Sequence, residues 1–258
     1  MSLRESLSTP EGKRRYVRQL FATIADRYDF ITRFLSYGQD SRWKRRLIRL
    51  AALQPSHRLL DLACGTGDIV FAAAPHIRAG VGLDVTFRMV QLARGKETAF
   101  RSSHRRPPVS FLTGDMLALP FADGTFDVVT TGYGLRNVPD LNQALTEIHR
   151  VLAPGGRLLS LDFNRPSNAL IRSAYLAYLT MVGSSLGTVL HGDPDTYRYI
   201  PASIRLYPGA HGVAQMMRDH GFPDVDVLPL LGGLMAIHVA RRDSLAREAR
   251  SPQPRLEP

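Results

Sequence analysis

The sequence is nearly free of cysteine. A single thiol, Cys64, stands among 258 residues, so no disulfide framework can form and no Cys/His set with zinc spacing exists. A reducing cytoplasm fits this usage, and no metal is expected. The first twenty residues carry seven charges and no apolar core of signal length, so neither secretion nor organelle import is expected. Long apolar runs are scarce as well. Ser173 to Leu190 has no charge over 18 residues, yet Gly183-Ser184-Ser185 and Gly187 interrupt it, which favours a cover helix over a membrane span. Acids are outnumbered, with 23 Asp/Glu against 33 Lys/Arg and a net charge of +10, a balance that suits a polyanionic partner. No zinc finger, RRM signature or basic-aromatic platform accompanies the charge, so nucleic acid is not the expected partner. Residues 1–50 alone hold 12 Lys/Arg and 5 Asp/Glu, and this segment reads either as a solvated helical face or as a contact with an anionic membrane.

What is present is a chain that is 44% hydrophobic and long enough for one large α/β domain. Its organising stretch is Arg58 to Asp68, where an apolar strand ends in Asp61 and then Gly65-Thr66-Gly67 opens a helix. Glycine lets a backbone approach a ligand closely, and a strand, glycine turn and helix open a ligand-binding βαβ unit. The third glycine of a dinucleotide fingerprint is replaced by Val70, which disfavours NAD. A second apolar run, Ala79 to Leu83, ends in Asp84, 17 residues after Gly67, where a carboxylate can take both hydroxyls of a ribose. This pattern resembles the S-adenosylmethionine (SAM) site of class I methyltransferases. After a third strand, Val109 to Leu112, Asp115 can accept from an adenine amino group while Met116 covers the ring; spacing alone fits a loop acid beside a core methionine equally well.

Strand and helix alternate through Leu152, and Arg157 to Asp162 is the predicted fifth strand. The fourth, Phe126 to Thr131, runs into Gly132-Tyr133-Gly134-Leu135-Arg136-Asn137-Val138. Open α/β sheets bind ligands at such carboxyl ends. Residues 1–10 read as disordered, and a helix is predicted from Glu11 on Tyr16, Leu20, Phe21 and Ile24. Tyr28-Asp29, Ser36, Gly38 and Trp43, together with Gly-Leu-Arg-Asn-Val, Pro154-Gly155-Gly156-Arg157, Tyr197-Arg198-Tyr199 and Ser203-Ile204-Arg205, are similar to motifs of the UbiE/MenG family of quinone-biosynthesis C-methyltransferases. The family often has serine where Gly132 stands and His-Arg where Asp40-Ser41 stand.

The resemblance implies a Rossmann-like, seven-stranded α/β sheet. It has an N-terminal helical addition at 1–50, a methyltransferase domain at 51–242 with a helical substrate cover inserted at 164–209 after the fifth strand, and a disordered tail at 243–258. It implies SAM held by Asp61, Gly65, Thr66, Gly67, Asp84, Asp115, Met116 and Gly132. Arg136, Asn137 and Tyr28 are the expected catalytic residues, with Arg136 stabilising charge because a guanidinium is too basic to take a proton. The expected acceptor is a lipophilic quinol, either demethylmenaquinol or the methoxybenzoquinol of ubiquinone synthesis. Another small aromatic or lipid acceptor, and a non-catalytic SAM-fold subunit of a membrane complex, stand as alternatives. A cytoplasmic protein with peripheral membrane contact is expected, and a homodimer is left open.

Overall fold

A computed structural model describes residues 3–101 and 107–244. At its centre β1 (Arg58–Leu62), β2 (Ala79–Asp84), β3 (Val109–Thr113), β4 (Phe126–Gly132) and β5 (Leu152–Phe163) run parallel. Two further strands, β6 (Asp224–Leu230) and β7 (Met235–Arg241), complete the sheet, β7 lying antiparallel to both β5 and β6. The order β3-β2-β1-β4-β5-β7-β6 reverses direction between β1 and β4, and that switch opens a crevice at the carboxyl edge. The expected seven-stranded α/β sheet is therefore the fold.

Parallel strands covered on both faces need continuous apolar runs, and Leu59, Leu60 and Leu62 of β1 are all fully buried. One face packs under α7 (Leu141–Val151) and α10 (Gly209–Asp219), and the other under α4 (Asp40–Ala51) and α5 (Asp68–Ala73). The helix α6 (Phe87–Arg101) covers β2 and β3.

The amino-terminal helices extend further than the sequence pattern indicates. Residues 3–10 are helical rather than disordered at both ends: α1 covers Leu3–Ser6, and α2 spans Pro10–Ile24. The reason is a local cap, since Thr9 accepts from Gly12 N at 3.1 Å and Pro10 sits where its missing N–H costs nothing. After α2 comes α3 (Tyr28–Leu35). β5 also starts earlier than predicted, at Leu152, which pairs with Phe126; a register shift before Val128 absorbs Pro154-Gly155-Gly156 as an irregularity instead of a stop. Between β5 and α10 the chain forms two helices, α8 (Ala169–His191) and α9 (Tyr199–Leu206). Gly192, at φ 68°, ends α8 in the left-handed conformation that glycine accepts without cost. From 245 onward the tail lies outside the described residues.

Candidate active site

The ends of β1, β2 and β4 border an open cleft of about 710 Å³. Gly65 of the glycine turn lines it, whereas Gly67 lies behind, packed against Phe71 and Phe111. Gly65 and Gly67 have φ of 54° and 88°, and a Cβ at Gly67 would come within 2.8 Å of the Phe111 ring. Asp84 ends β2 buried, its Oδ2 accepting from Gly65 N at 2.9 Å and its Oδ1 from Thr86 N at 2.8 Å. The carboxylate thus braces the glycine turn while lining the cleft, and burial pushes its pKa up. Asp115, Met116 and Gly132 line the same cleft. A Cβ at Gly132 would lie 3.0 Å from Ile69 Cδ1, so Ile69 fills the space that a serine would need. From above, α2 contributes Arg14, Val17 and Phe21, with Arg14 Nη2 3.3 Å from Asp115 Oδ2.

Asp61 and Thr66 are not walls of this cleft. They line a smaller neighbouring pocket with Lys44 and Asp68, which shares Tyr28, Ala63, Gly132 and Tyr133 with the cleft. Thr66 Oγ1 donates to Asp29 Oδ1 at 2.7 Å and accepts from Lys96 Nζ at 2.9 Å, so its hydroxyl is already taken by a brace between α3 and α6. Asp61 is fully buried; its Oδ1 accepts from Thr130 Oγ1 at 2.7 Å, while Oδ2 has no partner. Burial pushes its pKa up to about 7, against the opposing pull of Thr130 and Lys44. An unpartnered buried carboxylate oxygen, a cradle without side chains, and Asp84 facing the cleft fit a ligand that has a cation at one end and a ribose in the middle, as SAM does.

A second, more apolar chamber of about 1110 Å³ lies beyond. The two chambers have Phe21, Tyr28 and Tyr133 as common wall. Arg136 lines the second chamber, only 6% exposed. Its Nη1 donates to Asp162 Oδ1 at 2.6 Å and to Tyr133 O at 3.1 Å, its backbone N donates to Asp162 Oδ2 at 3.2 Å, and its Nε has no partner. The guanidinium carbon lies 4.6 Å from the Phe163 ring centroid. Burial pulls the Arg136 pKa down, but Asp162 more than offsets this and holds it above the ordinary value. Asn137 faces the first cleft, its Nδ2 donating to Tyr133 O at 2.8 Å and its Oδ1 accepting from the Tyr199 hydroxyl at 3.0 Å. Burial raises the Tyr28 hydroxyl pKa.

Several site residues escape the sequence reading. Asp162 ends β5 at the carboxyl edge, and that position was its available signal. Tyr133 donates from its hydroxyl to Asp40 Oδ1 at 2.7 Å, and Asp40 Oδ2 pairs with Lys44 at 2.8 Å. On α2, Lys13 Nζ donates to Arg136 O at 3.0 Å and Val138 O at 2.6 Å, and burial with the nearby Arg136 charge lowers its pKa to about 8. Among the described residues no cluster of His, Cys, Asp and Glu can hold a metal ion.

Known proteins are similar to the chain in sequence and in fold. The chain is 42% identical over 226 residues to the demethylmenaquinone methyltransferase of Thermus thermophilus, covering 86% of this chain and 100% of the relative. It is 38% identical over 229 residues to the 2-phytyl-1,4-naphtoquinone methyltransferase of Synechocystis, covering 88% and 94%. In fold it is similar to a SAM-dependent methyltransferase of Thermotoga maritima, with TM-score 0.62 at 19% identity over 88% of this chain and 100% of that one. The model of the ubiE/COQ5 methyltransferase family matches residues 9–242, and the chain belongs to that family.

Proposed function

We propose that the protein methylates a ring carbon of a polyprenylated quinol, with SAM as methyl donor and demethylmenaquinol as the preferred acceptor. The carrying observation is the common wall: the cleft that Asp84 lines and the apolar chamber meet at Phe21, Tyr28 and Tyr133, beside Arg136. The naphthoquinone-derived names of the two relatives favour demethylmenaquinol over the methoxybenzoquinol of ubiquinone synthesis. Membership of a methyltransferase family sets aside the non-catalytic alternative, and SAM is the cofactor of this fold.

When bound, SAM supplies an electrophilic methyl on a sulfonium. In this reading Asp84 takes the ribose hydroxyls, Asp115 and Met116 take the adenine, and Asp61 Oδ2 takes the cationic amino-acid end beside Gly132. Tyr28 and Tyr133 confine the acceptor ring so that its nucleophilic carbon faces the cleft, a near-attack placement that can contribute about 7–11 kcal/mol. A quinol carbon becomes nucleophilic as its neighbouring hydroxyl loses a proton, so negative charge gathers on that oxygen. The Arg136 guanidinium, aimed by the Asp162 bond, answers that charge. Residues 51–242 form the methyltransferase domain in this reading, with 1–50 and 164–209 as its helical roof and cover.

Labelled SAM incubated with demethylmenaquinol and with the methoxybenzoquinol, each reduced and oxidised, tests the acceptor. Label should enter reduced demethylmenaquinone alone or foremost. Normal SAM binding with label in neither quinol would instead support another small aromatic or lipid acceptor.

Asp61 predicts a pH signature for cofactor binding. With a pKa near 7, its carboxyl must release its proton to meet a cation, so SAM affinity should fall as pH drops below 7. The slope approaches about tenfold per pH unit, and it is best read below the ~7.7–8.0 range where α-amino groups titrate. Calorimetry from pH 5.5 to 7 measures it. An Asp61→Asn protein should bind more weakly and without the slope, and a slope of the same size in that variant refutes the assignment.

The lipophilic acceptor also implies a cytoplasmic enzyme with peripheral membrane contact. Of the amino-terminal cations, Lys13, Arg14 and Lys44 do not serve that contact, because they are engaged with Arg136, Asp115, Asp40 and Asp68 inside the fold.

A further inference from the structure

A third cavity, an open groove of about 920 Å³, runs between α3 and the middle of α8. It shares Leu35, Tyr37 and Tyr178 with the apolar chamber, so these three side chains stand between the chamber and the outside. Around its mouth Phe30 is 58% exposed, Phe34 52%, Tyr37 67% and Met181 64%. Phe30 and Phe34, one helical turn apart, stack with ring centroids 6.3 Å apart.

The helix behind this groove is apolar on both sides. Its inner stripe, Tyr175, Leu176, Leu179, Gly183 and Gly187, is buried against the body. At Gly183 a Cβ would come within 3.2 Å of Tyr197, so α8 sits too close to its neighbours to be an independent span. Its outer stripe, Tyr178, Met181, Val182 and Val189, recurs at helical spacing and faces out, Val189 at 80% exposure. Among the described residues α8 is the one helix long and apolar enough to cross a membrane, yet it lies along the protein surface. No carboxylate lines the groove; its charged residue is Arg33, and α8 contains no Asp or Glu. The nearest acid of α3, Asp29, is turned to Thr66 and Lys96.

We infer that the α3–α8 face is the surface on which the enzyme rests against a lipid bilayer, and that the groove is the outlet through which the acceptor's tail runs from the chamber into the membrane. The inference rests on the quinol reading for the tail and on the exposed apolar face for the bilayer. An amphipathic surface of aromatic and aliphatic side chains with a cation at its rim is what an interface between acyl chains and phosphate headgroups accepts. The tail never has to enter water, because the outlet and the apolar face coincide. A second copy of this chain seated on the same face would instead cover the outlet.

The test uses the full chain, mixed phosphatidylethanolamine and phosphatidylglycerol vesicles, and two demethylmenaquinols, one long-tailed in the vesicles and one with a single isoprene unit in solution. The variants are Phe30→Ser with Phe34→Ser, and separately Met181→Glu; none of these side chains lines either inner chamber. Vesicle binding and long-tail turnover should each fall about tenfold or more in both variants, as loss of buried aromatic and aliphatic area dictates. Short-tail turnover should stay at the wild-type level. Unchanged vesicle binding and long-tail turnover in both variants would overturn the inference. So would a concentration-dependent dimer in the wild type that the variants abolish while vesicle binding persists. If the wild type methylates neither quinol, the acceptor reading fails and the outlet with it, while the vesicle arm still decides the bilayer surface.

Discussion

Replacing Asp84 by alanine should remove most of the affinity for SAM. Each ribose hydroxyl loses a charged acceptor, and such bonds contribute about 2–4 kcal/mol together, which corresponds to roughly 30- to 1,000-fold in Kd. The variant also strips Gly65 N and Thr86 N of their acceptor, so the glycine turn loosens along with the ligand contact. Asp84→Asn separates the two causes: a carboxamide oxygen can still brace one of these amides, but the charge is gone. Calorimetric titration with SAM, with a thermal melt to confirm folding, reads both. A folded alanine variant with wild-type affinity would remove Asp84 from the cofactor site.

Arg136 should behave in the opposite way, with SAM affinity kept and turnover lost. Its proposed partner is an oxygen that gains charge only during reaction, and removal of such a donor costs about 10²–10³ in kcat. Alanine is a poor probe here, because it leaves Asp162 buried without its cation, a defect that costs about 3–5 kcal/mol of stability. Arg136→Lys keeps the charge but loses the planar fork that bonds Asp162. Lysine at this position should therefore retain the fold and SAM affinity and lose most of kcat. If SAM affinity falls as far as kcat does, Arg136 belongs with the cofactor contacts.

The cleft beside the glycine turn was legible in the sequence because its geometry is local. A strand, two glycines in the left-handed region and an acid at the end of the next strand carry their spacing in the chain itself. The sheet's first five strands were legible for the same reason, through alternating apolar runs, while the count of seven came with the family resemblance. Asp162 was not, because it matters only once β4 and β5 pair with Gly132 opposite Leu161 and bring it under Arg136. The Tyr133–Asp40 bond joins residues 93 positions apart, and no local pattern encodes it. Thr66 shows the converse limit: its place in the motif suggested a ligand contact, but Asp29 and Lys96 from other helices claim its hydroxyl. Pro154-Gly155-Gly156 reads as the stop of the preceding helix, which does end at Val151, yet pairing of Leu152 with Phe126 carries a strand through the three residues.

The helix α2 walls the cleft with Arg14 and Val17, reaches both chambers through Phe21, and fastens by Lys13 to the loop that carries Arg136. One helix thus borders both chambers and braces the segment between them. A change at Lys13 or Phe21 should therefore disturb SAM affinity and turnover together, where a change at a residue of one chamber disturbs one.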